Sequence, residues 1–143
     1  MQNSLFKEYK GVFESEEAQE EKKEKEDSFK KGPNTFALAD AFGAKSPKDA
    51  WVEYMRLRSG GMEAEYLHAS LVGKARDMLA SQSASADELG IHPFVHKKAK
   101  ADFKNWSESK LIETYSNLVA AYHESRLGGE PLDTAIEKVL LRL

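Results

Sequence analysis

"SESKLIETYSNLVAAYHESRLGGEPLDTAIEKVLLRL", residues 107–143, decides the fold class. Leu111, Ile112, Tyr115, Leu118, Val119 and Tyr122 recur at three- and four-residue steps, so they share one face of a helix about five turns long. Ser107 offers an N-cap hydroxyl before the run, and Gly128 and Gly129 stop it. Pro131 then opens a second helix on which Leu132, Ala135, Ile136, Val139, Leu140 and Leu143 form an unbroken apolar stripe. Two amphipathic helices in succession need further helices to cover their apolar faces.

Those helices lie upstream. In "HPFVHKKAKADFKNW", residues 92–106, Pro93 opens a helix carrying Phe94, Val95, Ala99 and Phe103, with His92 at the cap. Phe94 and Val95 are expected to pack inward. Before it, Ala64, Leu67, His68, Leu71, Ala75, Met78 and Leu79 mark a long amphipathic helix that "SQSASAD" breaks. Ser46, Pro47 and Asp49 combine a cap hydroxyl, a first-position proline and a first-turn acid, and the helix they start stops at Gly60 and Gly61. Asn34 or Thr35 starts a short helix with Phe36, Leu38, Ala39 and Phe42, ended by Gly43. Nothing alternates apolar and polar residues between hairpin turns. The expected fold is all-α, a small bundle of about five main helices plus short pieces.

Composition sets the outer limits. A chain of 143 residues suits one domain, and 31 % charged against 41 % hydrophobic residues reads as a soluble globular protein. Charge is uneven, because residues 14–31 alternate acids and lysines with only Ala18 and Phe29 to contribute to a core. We therefore divide the chain into an N-terminal arm and charged linker, 1–31, and a helical domain, 32–143. The arm holds 7 lysines and 9 acids, net −2, and the remainder 14 Lys and Arg against 15 acids, net −1, so neither part has the basic surplus of a nucleic-acid coat. Cysteine is absent, which removes disulfides, thiolate metal sites and thiol catalysis. No apolar run approaches the ~18 residues of a membrane span, and no secretory signal is visible, so no membrane partner and a cytoplasmic location are expected.

The chemistry-bearing motifs all fail at a required position. Gly73-Lys74 lacks the earlier glycine and the following hydroxyl of a phosphate loop, since His68 and Ala75 stand there. His92 and His96 share a helical spacing, yet no third ligand follows, and His123-Glu124 lacks the second histidine of a zinc-protease helix. No catalytic residue, metal site or cofactor is assigned. What remains are surfaces. Lys97, Lys98, Lys100 and Lys104 stand against Asp102 alone and are candidates for weak or indirect DNA contact, with Phe103 and Trp106 as stacking residues. Tyr115, Tyr122, Leu132, Ile136, Val139, Leu140 and Leu143 are candidates for a subunit interface, or else for core.

The order of these landmarks resembles the C-terminal domain of the DNA polymerase III delta subunit. The resemblance runs over residues 34–143: the "F-x-L-x-D-A" helix, here Phe36, Leu38, Asp40 and Ala41; the "HPF-V-x-K-K" start, here His92 to Lys98; the helix ending in Ala120 to Glu124; and the closing "A-x-E-x-x-L-L-R-L", here Ala135, Glu137 and Leu140 to Leu143. It implies a collar domain through which clamp-loader subunits associate, with other clamp-loader subunits as partners and no enzymatic role of its own. The nucleotide-binding-fold domains that come first in that family have no counterpart here, so a piece of a longer delta subunit and a free-standing small helical adaptor or weak nucleic-acid-binding protein are both open readings. The opening residues "MQNSLF" are similar to the short peptides with which bacterial proteins bind the replication sliding clamp, matching at Gln2, Ser4, Leu5 and Phe6. Leu5, Phe6, Tyr9, Val12 and Phe13 also fall at helical steps, which favours a buried amphipathic helix over an extended clamp-binding peptide.

Overall fold

Side-chain caps start four of the seven helices among the described residues. The computed structural model describes residues 34–143; the expectations placed on residues 1–31, Gln2, Leu5 and Phe6 included, lie outside the described residues. Helix α1 spans Phe36–Gly43 after Thr35, whose side chain makes no capping bond. Helix α2, Pro47–Ser59, begins at Ser46, whose hydroxyl accepts from the Asp49 N–H at 3.4 Å. Helix α3 is Ala64–Ala80. Helix α4 is a single turn, Ala86–Leu89, where the Ser85 hydroxyl accepts from the Glu88 N–H at 3.3 Å. Helix α5, Pro93–Asp102, starts at His92, whose Nδ1 accepts from the Phe94 N–H at 3.0 Å. One 3-10 turn, Phe103–Asn105, leads to α6, Glu108–Arg126, capped by Ser107, and α7, Leu132–Leu141, closes the bundle.

The domain is all-helical, with seven helices and no strand among the described residues. The periodicity predicts about five main helices plus short pieces; α4 is one of the short pieces, beginning at Ala86 within "SQSASAD" and running past it to Leu89. Its signal was present as Ser85 followed three residues later by Glu88, the spacing of a capping box.

Helix α3 occupies the middle, packing on α1, α5, α6 and α7, while α2 bridges α1 and α7. Leu67, Leu71, Ala75 and Met78 of α3 are fully buried in one core with Leu38 and Phe42 of α1, Tyr54 of α2, Leu111 and Leu118 of α6, and Ile136 and Leu140 of α7. The buried residues of α3 run from Ala64 to Met78, so it offers apolar surface to its neighbours along most of its length.

The end of α1 is tied to the turn after α5. Trp106 packs on Phe42 with ring centroids 5.1 Å apart, and its Nε1 donates to the Phe42 and Gly43 carbonyls at 3.2 Å each. Asn105 Nδ2 donates to the same Gly43 carbonyl at 3.2 Å. These bonds satisfy carbonyls that a helix end would otherwise leave unpaired. The approach is close enough that a Cβ on Gly43 would lie 2.6 Å from Asp102 Cγ, which is why that position has no side chain.

Candidate interaction site

A groove of about 330 Å³ runs between α1, α3 and α5. Its rims carry Phe36 from α1 and Phe94 from α5, each 70 % exposed, and Val95, Ala69 and Gly73 add apolar or bare surface between them. Phe94 was expected to pack inward with Val95, and it does not. Ala99 and Asp102 take the inward face of α5, since only a small residue at 99 permits the close approach to α3; at about 100° per residue Phe94 lies roughly 140° round the helix from Ala99 and must face solvent. Val95 is half-buried on the groove wall.

Beneath the groove lies an ionic cluster that sequence reasoning did not anticipate. Asp102 is 5 % exposed and accepts from Lys74 Nζ at 2.7 Å and Lys98 Nζ at 3.3 Å. Lys98 also lies 4.0 Å from Asp40 of α1, so the cluster links α1, α3 and α5. A buried carboxylate needs such partners, because desolvation would otherwise cost several kcal/mol. Lys74, the lysine of the failed phosphate loop, thus has a structural task.

The four lysines considered for DNA contact separate into two sets. Lys98 is drawn toward Asp102 and Asp40, whereas Lys97, Lys100 and Lys104 are exposed. The two candidate stacking rings are not on that face: Trp106 is buried and Phe103 packs against the core. The histidines are likewise engaged locally. His92 caps α5, His96 Nε2 donates to the Ala84 carbonyl at 2.8 Å, and His68 Nε2 donates to the Leu118 carbonyl at 2.6 Å, which fixes the proton on Nε2 in the latter two because a carbonyl only accepts. Among the described residues no three His, Asp or Glu side chains converge on a metal position.

The candidate interface residues of α6 and α7 are divided by the fold. Leu132, Ile136 and Leu140 lie inside the chain's own core, and Tyr115, Tyr122, Val139 and Leu143 pack at its edge. Tyr122 is stacked on His68 at 5.5 Å, with the Arg126 guanidinium 5.1 Å from its ring centre on α6 itself. The large apolar side chains exposed here are Ile112 of α6, Leu127 at its C-cap and Leu141 of α7.

Where α2 meets α7, the Tyr54 hydroxyl donates to Asp133, which also accepts from Arg58 Nε at 3.1 Å, while Trp51 Nε1 donates to Glu137 at 3.1 Å. Burial, with the hydrogen bond to Asp133 and that carboxylate's charge, raises the Tyr54 hydroxyl well above the ordinary tyrosine range. Partial burial opposes the charge of Asp133, but hydrogen bonds from Tyr54 and Arg58 and the Arg58 charge outweigh it and hold the carboxyl below its ordinary value. The Arg58 guanidinium, hydrogen-bonded to Asp133, is raised in turn. This cluster ties α2 to α7.

Comparison of the chain with protein-family models, with curated proteins and with solved structures gives no match in any of the three.

Proposed function

We propose that this chain is a non-catalytic assembly module of a bacterial DNA polymerase III clamp loader, equivalent to the C-terminal collar domain of a delta subunit, and that it associates with other clamp-loader subunits through the groove between α1, α3 and α5. One observation carries the reading. Phe36 and Phe94 belong to two of the four segments on which the delta resemblance rests, and they stand on the rims of one groove with most of their surface in solvent. Aromatic residues kept for the core are buried. Two exposed ones beside an apolar trough have the make-up of interface anchors, which fill a partner's pockets and carry most of the binding free energy. The reading moves the assembly surface from α6 and α7, where much of the apolar stripe serves the core, to the opposite side of α3.

The test uses the full chain mixed with the remaining clamp-loader subunits of the same organism, followed by sedimentation velocity and calorimetry. A defined complex is expected. Phe36→Asp together with Phe94→Asp is expected to weaken it at least ~30-fold, the loss of a hot spot of about 2 kcal/mol, with the melting temperature nearly unchanged. No association by the unaltered chain would overturn the reading. ATP hydrolysis by the purified chain above background would overturn its non-catalytic part.

A further inference from the structure

Three lysines in and just beyond α5 form a face that the groove does not use. Taking about 100° per residue, Lys97 and Lys100 of α5 lie roughly 60° apart and away from Ala99, Lys104 follows in the 3-10 turn Phe103–Asn105, and all three are exposed. None of the three is within ion-pair distance of an acid among the described residues. The one acid in residues 92–106, Asp102, is turned inward, and Lys74 reaches it from α3 as Lys98 does from α5. The packing that neutralises Asp102 therefore leaves this face with three unopposed positive charges in a chain whose net charge is −3.

We propose that this face binds the phosphate backbone of double-stranded DNA without reading its sequence. Charge complementarity selects a polyanion, and the absence of arginine from residues 92–106 leaves no bidentate contact to guanine. Duplex is preferred to single strand because a single-strand site needs several rings on which successive bases stack, and of the Phe and Trp rings in residues 92–106 Phe94 alone is exposed. The Trp106 ring packs on Phe42 with its N–H bonded to two carbonyls, and Phe103 is held against the core. This surface shares no residue with Phe36 or Phe94 and stands whether or not the groove binds other subunits.

The experiment is fluorescence anisotropy of the full chain with labelled duplexes of two unrelated sequences, and with a single strand of the same length, at several salt concentrations. Three phosphate contacts on duplex give a slope of log K against log salt of about −2.7, or about a 40-fold loss of affinity between about 50 and about 200 mM salt. Both duplexes are expected to bind alike and more tightly than the single strand. Lys97→Gln, Lys100→Gln and Lys104→Gln together are expected to remove the binding while the melting temperature stays the same, and the corresponding triple change to Arg is expected to retain it, because charge alone is required. Undiminished duplex binding by the glutamine variant, a tighter complex with the single strand, or no duplex binding by the unaltered chain at low salt would each overturn the proposal.

Discussion

Two residues of this chain are set by their immediate surroundings. The Ser81 hydroxyl, at the end of α3, is buried with no hydrogen-bond partner. An unsatisfied buried hydroxyl costs about 1–3 kcal/mol, so Ser81→Ala is expected to stabilise the domain by about 1 kcal/mol and raise its melting temperature by about 4 °C. A lower melting temperature would show that the hydroxyl does have a partner in solution. Gly43 is the opposite case, because the space where its side chain would go is filled by Asp102. Gly43→Ala is expected to cost about 1–3 kcal/mol in a thermal melt, since either α1 or α5 must shift to admit the methyl group. An unchanged melting temperature would mean the two helices separate more easily than their packing implies.

At the scale of the element, α5 shows how one helix serves three purposes on three faces. Ala99 and Asp102 attach it to α3 and α1, Phe94 and Val95 border the groove, and Lys97 and Lys100 face solvent, as does Lys104 in the 3-10 turn that follows. The attachment depends on charge as well as packing. Asp102→Ala would strand the Lys74 ammonium, whose side chain is 11 % exposed, and is expected to lower stability by about 3 kcal/mol. Lys98→Met should cost under about 1 kcal/mol, because the Lys98 side chain is 42 % exposed and Lys74 still satisfies Asp102. Urea midpoints at constant slope compare the two; equal losses would show that the cluster is not centred on the Lys74 pair.

Across the whole molecule, the clamp between α2 and α7 joins residues 79 positions apart in the chain and connects stability to pH. The Tyr54 proton is held more tightly in the folded state than in the unfolded one. Below the ordinary tyrosine value of about 10 both states keep it, so the contribution is fully present. Above that value the unfolded chain loses the proton first, so stability falls as pH rises toward the folded value. Asp133 has the opposite sign: its contribution is present above the ordinary aspartate value of about 3.9 and is lost as pH falls through its lower folded value. Stability of the unaltered protein minus that of Tyr54→Phe, measured from pH 8 to about 11.5, is therefore expected to decline only above about pH 10. A difference that stays flat across that window would show that the hydroxyl is not held by Asp133.

The sequence alone determined the fold class and most of the helix starts, because periodicity and capping are local properties: a stripe repeating every 3.6 residues, a hydroxyl such as Ser46 or Ser107, or an imidazole such as His92 acts within one turn of its own position. The start of α4 was equally local and was legible in Ser85 and Glu88. The stripes of α3 and α7 also pointed to their buried sides, but the sequence did not determine the inward side of α5, since that depends on elements distant in the chain. Phe94 is as apolar as any core residue, yet the close approach of α5 to α3 at Ala99 turns it outward onto the groove. The same packing brings Lys74 to Asp102 and Tyr54 to Asp133, pairs 28 and 79 residues apart that no local pattern connects. It also takes Leu132, Ile136 and Leu140 into the core while leaving Lys97, Lys100 and Lys104 exposed. Tertiary structure decided these because a buried charge must find a partner wherever the fold supplies one, and a helix has room for only one face against its neighbours.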